Sequence, residues 1–347
     1  QLTSNKNITD MKKIAIILYT ALTLLSIASC TDLKEEVLNE QDESETISDT
    51  SNAGSIVAPA YAYLRDLQSR SGVWLVLESL TDEMVFPTRG TDWNYPNYRT
   101  LFTHEYDSKN TYIKNTWNSF MLGITKCNVA LQYLTKLEQT EEVKNYVNET
   151  LFIRALCMYH LMDCFGHFPM REYTETDYSK LPVILEREQA LNRIITELET
   201  IIPQLKEKGE VPYGRITKAA AQLLLAKVYL NYQVYTGTAP TFADGQSKWT
   251  ETIDLCDDII GSGKYTLSTD FRKLYLADNQ KESDATETIL PIIFNNAIGL
   301  KGIPWLNITL HYNQKFGSFT SMWNGCCTTP TFLATWDTTD PRYQDNR

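Results

Sequence analysis

The chain is 347 residues long, 43% hydrophobic and 22% charged, with a formal net charge of −11 at pH 7. That length can bury a substantial core, as one domain or two, without disulfide staples. The acidic balance argues against a phosphate-backbone partner, which needs clustered Lys and Arg, so no nucleic-acid partner is expected. The 20 Tyr and 7 Trp suit partly polar ligands, since each pairs a flat apolar face with a polar edge, although most are expected in the core.

Residues 1–10 precede the first methionine, lack signal character and read as an upstream extension outside the fold. Met11 to Cys30 reads MKKIAIILYTALTLLSIASC. Two lysines, an apolar run from Ile14 to Leu25 and then small residues follow the order of a secretory signal. The run is too short for a membrane span, which needs roughly 20 residues. Ile27-Ala28-Ser29-Cys30 resembles a bacterial lipobox. Residues 11–29 are therefore expected to be a lipoprotein signal peptide and Cys30 the lipidated residue (palmitate among its acyl chains). An ordinary signal with a cysteine near its cut site is the alternative. Residues 30–55 are polar and acidic and read as a flexible tether.

Helical periodicity starts near Ile56 and runs to Ser69, with Ala60, Tyr63, Leu64 and Leu67 on one face. From Leu77 to Asn110 it is lost, and Pro87, Gly90, Trp93, Tyr95, Pro96 and Tyr98 gather in what reads as a long aromatic loop, a functional candidate by its length. Strong helical patterns return over Lys114–Leu137 and Glu141–Phe165, the latter stopped by Gly166 and Pro169. Further helices are expected over Leu191–Lys206, from Thr217 as N-cap to about Tyr235 after a Pro212-Tyr213-Gly214 turn, and over Trp249–Ile260 with Ile253, Cys256, Ile259 and Ile260 inward. Beyond Lys264 the pattern weakens, and Ile289–Phe294 reads as a strand or a buried extended segment.

Beyond Cys30, the cysteines are Cys127, Cys157, Cys164, Cys256, Cys326 and Cys327. None forms a C-x-x-C pair and no histidine stands at zinc-ligand spacing, so no metal site or cofactor is expected. Cys157 and Cys164 share a helix face and a core, and adjacent Cys326 and Cys327 read as unbridged to each other. Ala155 and Ala226 each sit before an aromatic in a helix, about two periods of a 34-residue helical repeat apart.

At these residues the chain resembles the SusD/RagB family of outer-membrane nutrient-binding lipoproteins of Bacteroidetes. Phe152-Ile153-Arg154-Ala155-Leu156-Cys157-Met158-Tyr159 with Phe165-Gly166-His167-Phe168-Pro169 is similar to the family's arginine-alanine helix and its aromatic-glycine-x-x-proline end. Gly214-Arg215-Ile216-Thr217-Lys218-Ala219-Ala220-Ala221, continuing through Leu224 to Leu230, is similar to its most recognisable helix start. Glu287 to Ile292 resembles a short strand after the helical region, Asp340-Pro341-Arg342 a late motif, and Leu33-Lys34-Glu35-Glu36 a surface-export signal.

The resemblance implies a mainly α fold, a tetratricopeptide-like helical repeat array carrying an irregular, loop-rich ligand-binding subdomain. It places a SusD-like domain over residues 56–347, with a helical core at about 111–262 and an irregular region at about 263–347. Because family members continue past the Asp-Pro-Arg motif, a C-terminal truncation is expected. It also implies a surface-exposed outer-membrane lipoprotein that binds glycans or other nutrients and delivers them to a SusC-like TonB-dependent transporter.

No H-E-x-x-H, G-x-S-x-G, P-loop or G-x-G-x-x-G motif occurs, and the acidic neighbours Glu35-Glu36, Glu141-Glu142 and Asp257-Asp258 diverge on a helix rather than facing across a substrate. No catalytic residues are expected, and His160 reads as structural. A sugar ring needs an aromatic platform for its C–H face and polar groups for its hydroxyl rim. Arg89, Asp92, Trp93, Asn94 and Tyr95 offer both within seven residues. Trp305, Asn307 and Tyr312, with Asn313, form a second candidate group, and Trp323 with Asn324 a third. The rival readings are a secreted glycan-processing enzyme and a protein-interaction scaffold built on the helical repeat.

Overall fold

The computed structural model describes residues 48–68, 72–276, 278–280, 286–295, 297, 305–315 and 321–344. The chain divides at Thr46/Ile47, and the described residues all lie in the second part. The signal-like segment, Cys30 and the Leu33–Glu36 stretch lie outside the described residues.

The architecture is a stack of helices in which chain neighbours pack on one another. Helix α1 (Ala53–Tyr63) begins three residues ahead of its expected start, because Ala53 is already buried under Leu134, Leu137 and Val143. Helix α4 (Thr111–Leu134) and α5 (Glu141–Phe165) form a long antiparallel hairpin. Asn110 caps α4 by accepting from the N–H groups of Tyr112 and Ile113, and Thr140 caps α5 by accepting from Val143. Gly166 ends α5 at φ +80°, a conformation that an L side chain resists. Helix α6 (Arg187–Ile201) packs against α5, α7 (Lys218–Leu230) against α6, and α9 (Trp249–Gly261) against α7.

Small residues make these approaches close. Ala155, Ala190, Ala220 and Ala221 all lie in the main core with Phe152, Ile153, Met158, Leu161, Ile194, Leu198, Leu225 and Val228. Gly123 on α4 is tighter still. A Cβ there would meet the Tyr63 ring at 2.6 Å and the Cys157 sulfur at 2.7 Å.

Two buried ionic centres cross-link the stack. Arg154 of α5 is 1% exposed. Its Nε and Nη2 donate to Glu197 Oε1 of α6 at 3.0 and 2.6 Å, and its Nη1 donates to Asn128 Oδ1 of α4 at 3.0 Å. Burial pushes the Glu197 carboxyl up, and Arg154 pulls it back down. Glu149 of α5 is 0% exposed. It accepts from Tyr61 of α1 at 2.7 Å, Asn145 at 2.7 Å and Arg215 Nε at 3.1 Å. Burial raises its pKa too, opposed by the hydrogen bonds from Arg215 and Tyr61. Arg215 also reaches Glu142 at 2.6 Å and lies 3.8 Å over the Tyr146 ring.

The structure therefore explains the Gly214-Arg215-Ile216-Thr217 sequence. Gly214 takes φ +96° against Ile293, Arg215 neutralises Glu149, Ile216 is fully buried while its N–H donates to Tyr61 Oη, and Thr217 holds the N-cap position. Thr217 does so without a side-chain cap bond; its hydroxyl lies 3.5 Å from Tyr265 Oη instead.

Several expectations are corrected. The Leu77–Asn110 stretch is not one loop. It contains the end of α2 (Val73–Ser79), strand β1 (Met84–Val85) and α3 (Pro96–Phe102), whose N-terminal Pro96 is pre-set for a first helical turn. The helix expected to reach Tyr235 breaks at Asn231 and resumes as α8 (Tyr232–Thr236). On α9 only Ile259 is buried, whereas Ile253 and Ile260 are exposed, because α9 packs chiefly on α7 and has one covered face. Ile289–Phe294 forms no strand, although Ile289, Leu290 and Ile292 pack on the main core. His160 stacks on Phe120 at 4.9 Å and burial lowers its pKa to about 4, so it is a neutral ring at pH 7. All six cysteines from Cys127 to Cys327 are free thiols. No described helix is long and apolar enough to cross a membrane.

Breaking a buried ion pair leaves an uncompensated charge. Glu149→Ala should lower unfolding stability by about 3 kcal/mol, and Glu149→Gln, which retains the hydrogen-bonding shape, by less. Urea denaturation of the purified protein reads both. An alanine variant within about 0.5 kcal/mol of the parent, the range of an ordinary surface substitution, would remove Glu149 from the account of the stack.

Candidate ligand-binding site

A smaller apolar cluster lies apart from the main core. Leu75, Val76, Met84, Phe86, Tyr98, Leu101, Ile308 and Cys326 are buried in it, with Trp74, Trp93, Tyr112, Trp305 and Trp323 packed around them. It joins two segments more than 200 residues apart. Strand β1 pairs antiparallel with β2 (Cys327–Thr328), in the register Met84↔Thr328 and Val85↔Cys327, and Thr329 Oγ1 donates to Asp82 O at 2.7 Å.

On this base the 89–95 loop is fastened to the 321–327 segment. Arg89 Nη1 donates to the carbonyl oxygens of Asn324 and Gly325 at 2.7 and 2.9 Å, and to Pro87 O at 3.3 Å. The Arg89 and Asp92 main chains pair with each other and close a tight turn. Trp93 Nε1 donates to Trp323 O at 2.8 Å. Trp93 has φ +55° and Asn324 φ +48°, the left-handed region that bulky side chains avoid. Trp93 is kept there by that bond and by packing on Phe86 and Tyr98, with centroids 5.4 and 5.7 Å away. Gly325 is the matching small residue, since a Cβ on it would fall 2.7 Å from the Trp93 ring.

Above this scaffold opens a pocket of about 620 Å³. Trp93, Tyr95 and Trp323 form part of its wall, with Tyr98 and Tyr112 beside them and Met322 below. Phe86, Tyr98 and Tyr112 are stacked in sequence, at 4.3 and 4.8 Å between centroids. At the rim, Tyr312 Oη donates to Asp92 Oδ2 at 2.6 Å, which holds the Tyr312 phenol above its ordinary pKa.

Five of the ten candidate residues thus share one pocket: Asp92, Trp93, Tyr95, Tyr312 and Trp323. The other five lie behind or beside it. Arg89 is bound to carbonyl oxygens. Asn94 Oδ1 accepts from Arg99 at 3.3 Å. Trp305 packs on Trp74 with centroids 4.1 Å apart. Asn307 fixes the loop by donating from Nδ2 to Ser321 O and accepting at its carbonyl from Trp323 N. Asn324 contributes main-chain bonds to Leu310 and Arg89. Sequence reasoning missed Thr91, Tyr98, Tyr112 and Met322 as pocket residues. The aromatic-loop signal includes Tyr98 without singling it out, and Tyr112 falls between that loop and the helical pattern expected from Lys114; the structure puts them on α3 and α4. Two smaller cavities of about 390 Å³, one beside Lys208 and Tyr213 and one beside Leu80 and Cys164, contain none of the ten candidates.

The SusD-like family model described as "Starch-binding associating with outer membrane" matches residues 36–230. The starch-binding protein SusD of Bacteroides thetaiotaomicron is 33% identical over 182 residues, 52% of this chain and 31% of that protein. SusD-like protein P25 of Formosa agariphila is 24% identical over 292 residues, 79% of this chain and 51% of that protein. The chain therefore spans about a third to a half of these relatives. Among solved structures, a SusD superfamily protein from Parabacteroides distasonis matches with a TM-score of 0.68 at 23% identity, over 87% of this chain and 62% of that one. Surface glycan-binding protein A from Bacteroides thetaiotaomicron, in complex with laminarihexaose, matches with a TM-score of 0.64 at 17% identity, over 84% and 62%. The family model covers more than half of the 347 residues and the fold agrees with it, so the chain belongs to the SusD-like family.

Proposed function

We propose that the protein binds a glycan in the aromatic pocket, as a surface lipoprotein of the outer membrane, and passes it to a SusC-like TonB-dependent transporter. It acts as a binding protein and not as an enzyme, in keeping with the family description, which names binding and membrane association. The observation that carries the reading is the convergence of Trp93, Tyr95, Tyr98, Tyr112, Tyr312 and Trp323 on one open pocket. A sugar ring laid on an indole or phenol buries its C–H face, and its hydroxyls meet the polar rim. The relatives support the choice of ligand class, since one is named for starch binding and another was solved with laminarihexaose. The lipobox resemblance at Ile27–Cys30 supports the anchor.

Trp93→Ala and Trp323→Ala should each weaken binding of the best ligand on a glycan array by about tenfold, in line with roughly 1.5 kcal/mol for an aromatic contact. Calorimetry on the purified protein measures it. Unchanged affinity in both variants, or no glycan bound at all, would end the glycan reading.

Arg89→Gln should weaken binding although Arg89 is outside the pocket, because the 324–325 carbonyl oxygens lose their clamp. Unchanged affinity would make the clamp dispensable.

Cys30→Ala should move the protein from the membrane fraction to the soluble fraction while ligand affinity stays the same. Retention in membranes would refute the lipobox.

A further inference from the structure

The pocket carries neutral hydroxyls on Thr91, Tyr95, Tyr98 and Tyr112, which both donate and accept, but its charged groups are unequally divided. Arg89, in the loop that leads into the pocket, has Nη1 on three carbonyl oxygens and Nη2 3.9 Å from Cys327 Sγ. Arg99 donates to Thr88 and Asn94 and is not among the lining residues. Trp93 Nε1 is taken up by Trp323 O, and the Tyr312 hydroxyl proton by Asp92. Among the described lining residues Asp92 is the charged one. Its Oδ2 receives Tyr312, while its Oδ1 accepts no hydrogen bond from the described residues. An ionised carboxylate only accepts, and Tyr312, having donated, is left with acceptor lone pairs toward the pocket. This rim is complementary to hydroxyl donors. A uronate carboxylate or a sulfate ester offers acceptors and a like charge, and would meet Asp92 with no cation among the described lining residues.

We propose that Asp92 is a specificity-determining residue that restricts the pocket to uncharged glycans and rejects uronate- or sulfate-bearing ones. This rests on the glycan-binding reading above and adds a sign to it. Trp93, Tyr95 and Trp323 supply affinity for any sugar face, because aromatic contact with C–H groups does not depend on ring substituents. Asp92 discriminates, because repulsion between two anions at the pocket wall outlasts partial solvent exposure. The discrimination is electrostatic, so it diminishes as salt shortens the screening length from about 10 Å at 0.1 M to about 3 Å at 1 M.

The test uses laminarin, amylose and mannan, each beside its own form oxidised at C6 to the carboxylate, titrated into the wild-type protein and Asp92→Asn. The asparagine keeps an oxygen for the Tyr312 hydroxyl, removes the charge and adds an N–H donor. For the polysaccharide that binds, the wild type should prefer the neutral form by about tenfold at low salt, and the gap should shrink toward 1 M salt. Asp92→Asn should reduce the gap to about twofold, read as the ratio of the two affinities so that any loss common to both forms cancels. Equal wild-type affinity for the neutral and oxidised forms, or an undiminished gap in Asp92→Asn, overturns the assignment while leaving glycan binding intact. If wild type binds neither member of any pair, the glycan-binding reading fails and this inference falls with it.

Discussion

The carboxylate of Glu149 is the constraint on which the helix stack depends. It has no solvent contact, and burial of an ionisable group is tolerated only where partners replace the lost water. Those partners come from three places in the chain: Tyr61 on α1, Asn145 one turn back on α5, and Arg215 in the turn before α7. Displacing any of these segments leaves a buried polar group unmet, so the network specifies arrangement more than it adds stability. Arg154 does the same for the other side of α5, tying α4 through Asn128 and α6 through Glu197. With α5 pinned to α1, α4, α6 and the start of α7, the apolar core between them has one way to pack.

The pocket inherits this rigidity through α4. The middle of that helix, at Phe120, Ile124 and Cys127, is locked into the main core, while its first turn carries Tyr112 into the pocket wall. Asn110 joins the two scales. Its Oδ1 caps α4, and its Nδ2 donates to Asn97 O and Thr100 Oγ1 of α3. The Phe86–Tyr98–Tyr112 stack therefore stands on a helix end that cannot shift without disturbing the core. The Trp93 backbone departs from favoured geometry only where the Arg89 clamp, the Trp323 carbonyl oxygen and the absent Cβ of Gly325 hold it. Unfavourable backbone conformations persist where the surroundings over-determine them, and they cluster at sites that bind.

How far the sequence could be read followed the range of the interactions. Helix α5 was legible residue for residue, because its period and its Gly166 stop are local signals. The break at Asn231 and the bare face of α9 were not, since they depend on what packs alongside. The same division runs through the pocket. Trp93 and Trp323 stood out as aromatics in segments without helical period, and both line it. Arg89 had the chemistry of a ligand contact, yet the carbonyl oxygens it serves lie 235 and 236 residues away, a pairing that no local pattern encodes. Tyr112 was hidden because it falls in the gap between the aromatic loop and the helical pattern expected from Lys114; the structure makes it part of the first turn of α4. The resemblance to the SusD/RagB family rested on buried motifs such as Arg154 and Gly214–Thr217, which explains why it identified the fold more securely than the pocket.

Those motifs and the pocket loop each draw on arginines of the chain in the same way. Arg154 and Arg215 satisfy buried carboxylates, and Arg89 satisfies main-chain carbonyl oxygens; in each case a planar fork with several donors fixes separated acceptors in one geometry. Guanidinium groups used this way are unavailable to an incoming ligand. Among the described residues the pocket wall is left with aromatic faces, hydroxyls and one carboxylate, with Trp93 held by Trp323 O and Asp92 by Tyr312 before anything binds. Such a surface recognises an object with flat C–H faces and outward hydroxyl donors, and it loses little side-chain entropy in doing so because its platforms are already immobilised. The cationic side chains that hold the frame rigid are withdrawn from its mouth, so the same allocation of arginines that builds the scaffold also sets the sign of the charge that the pocket presents.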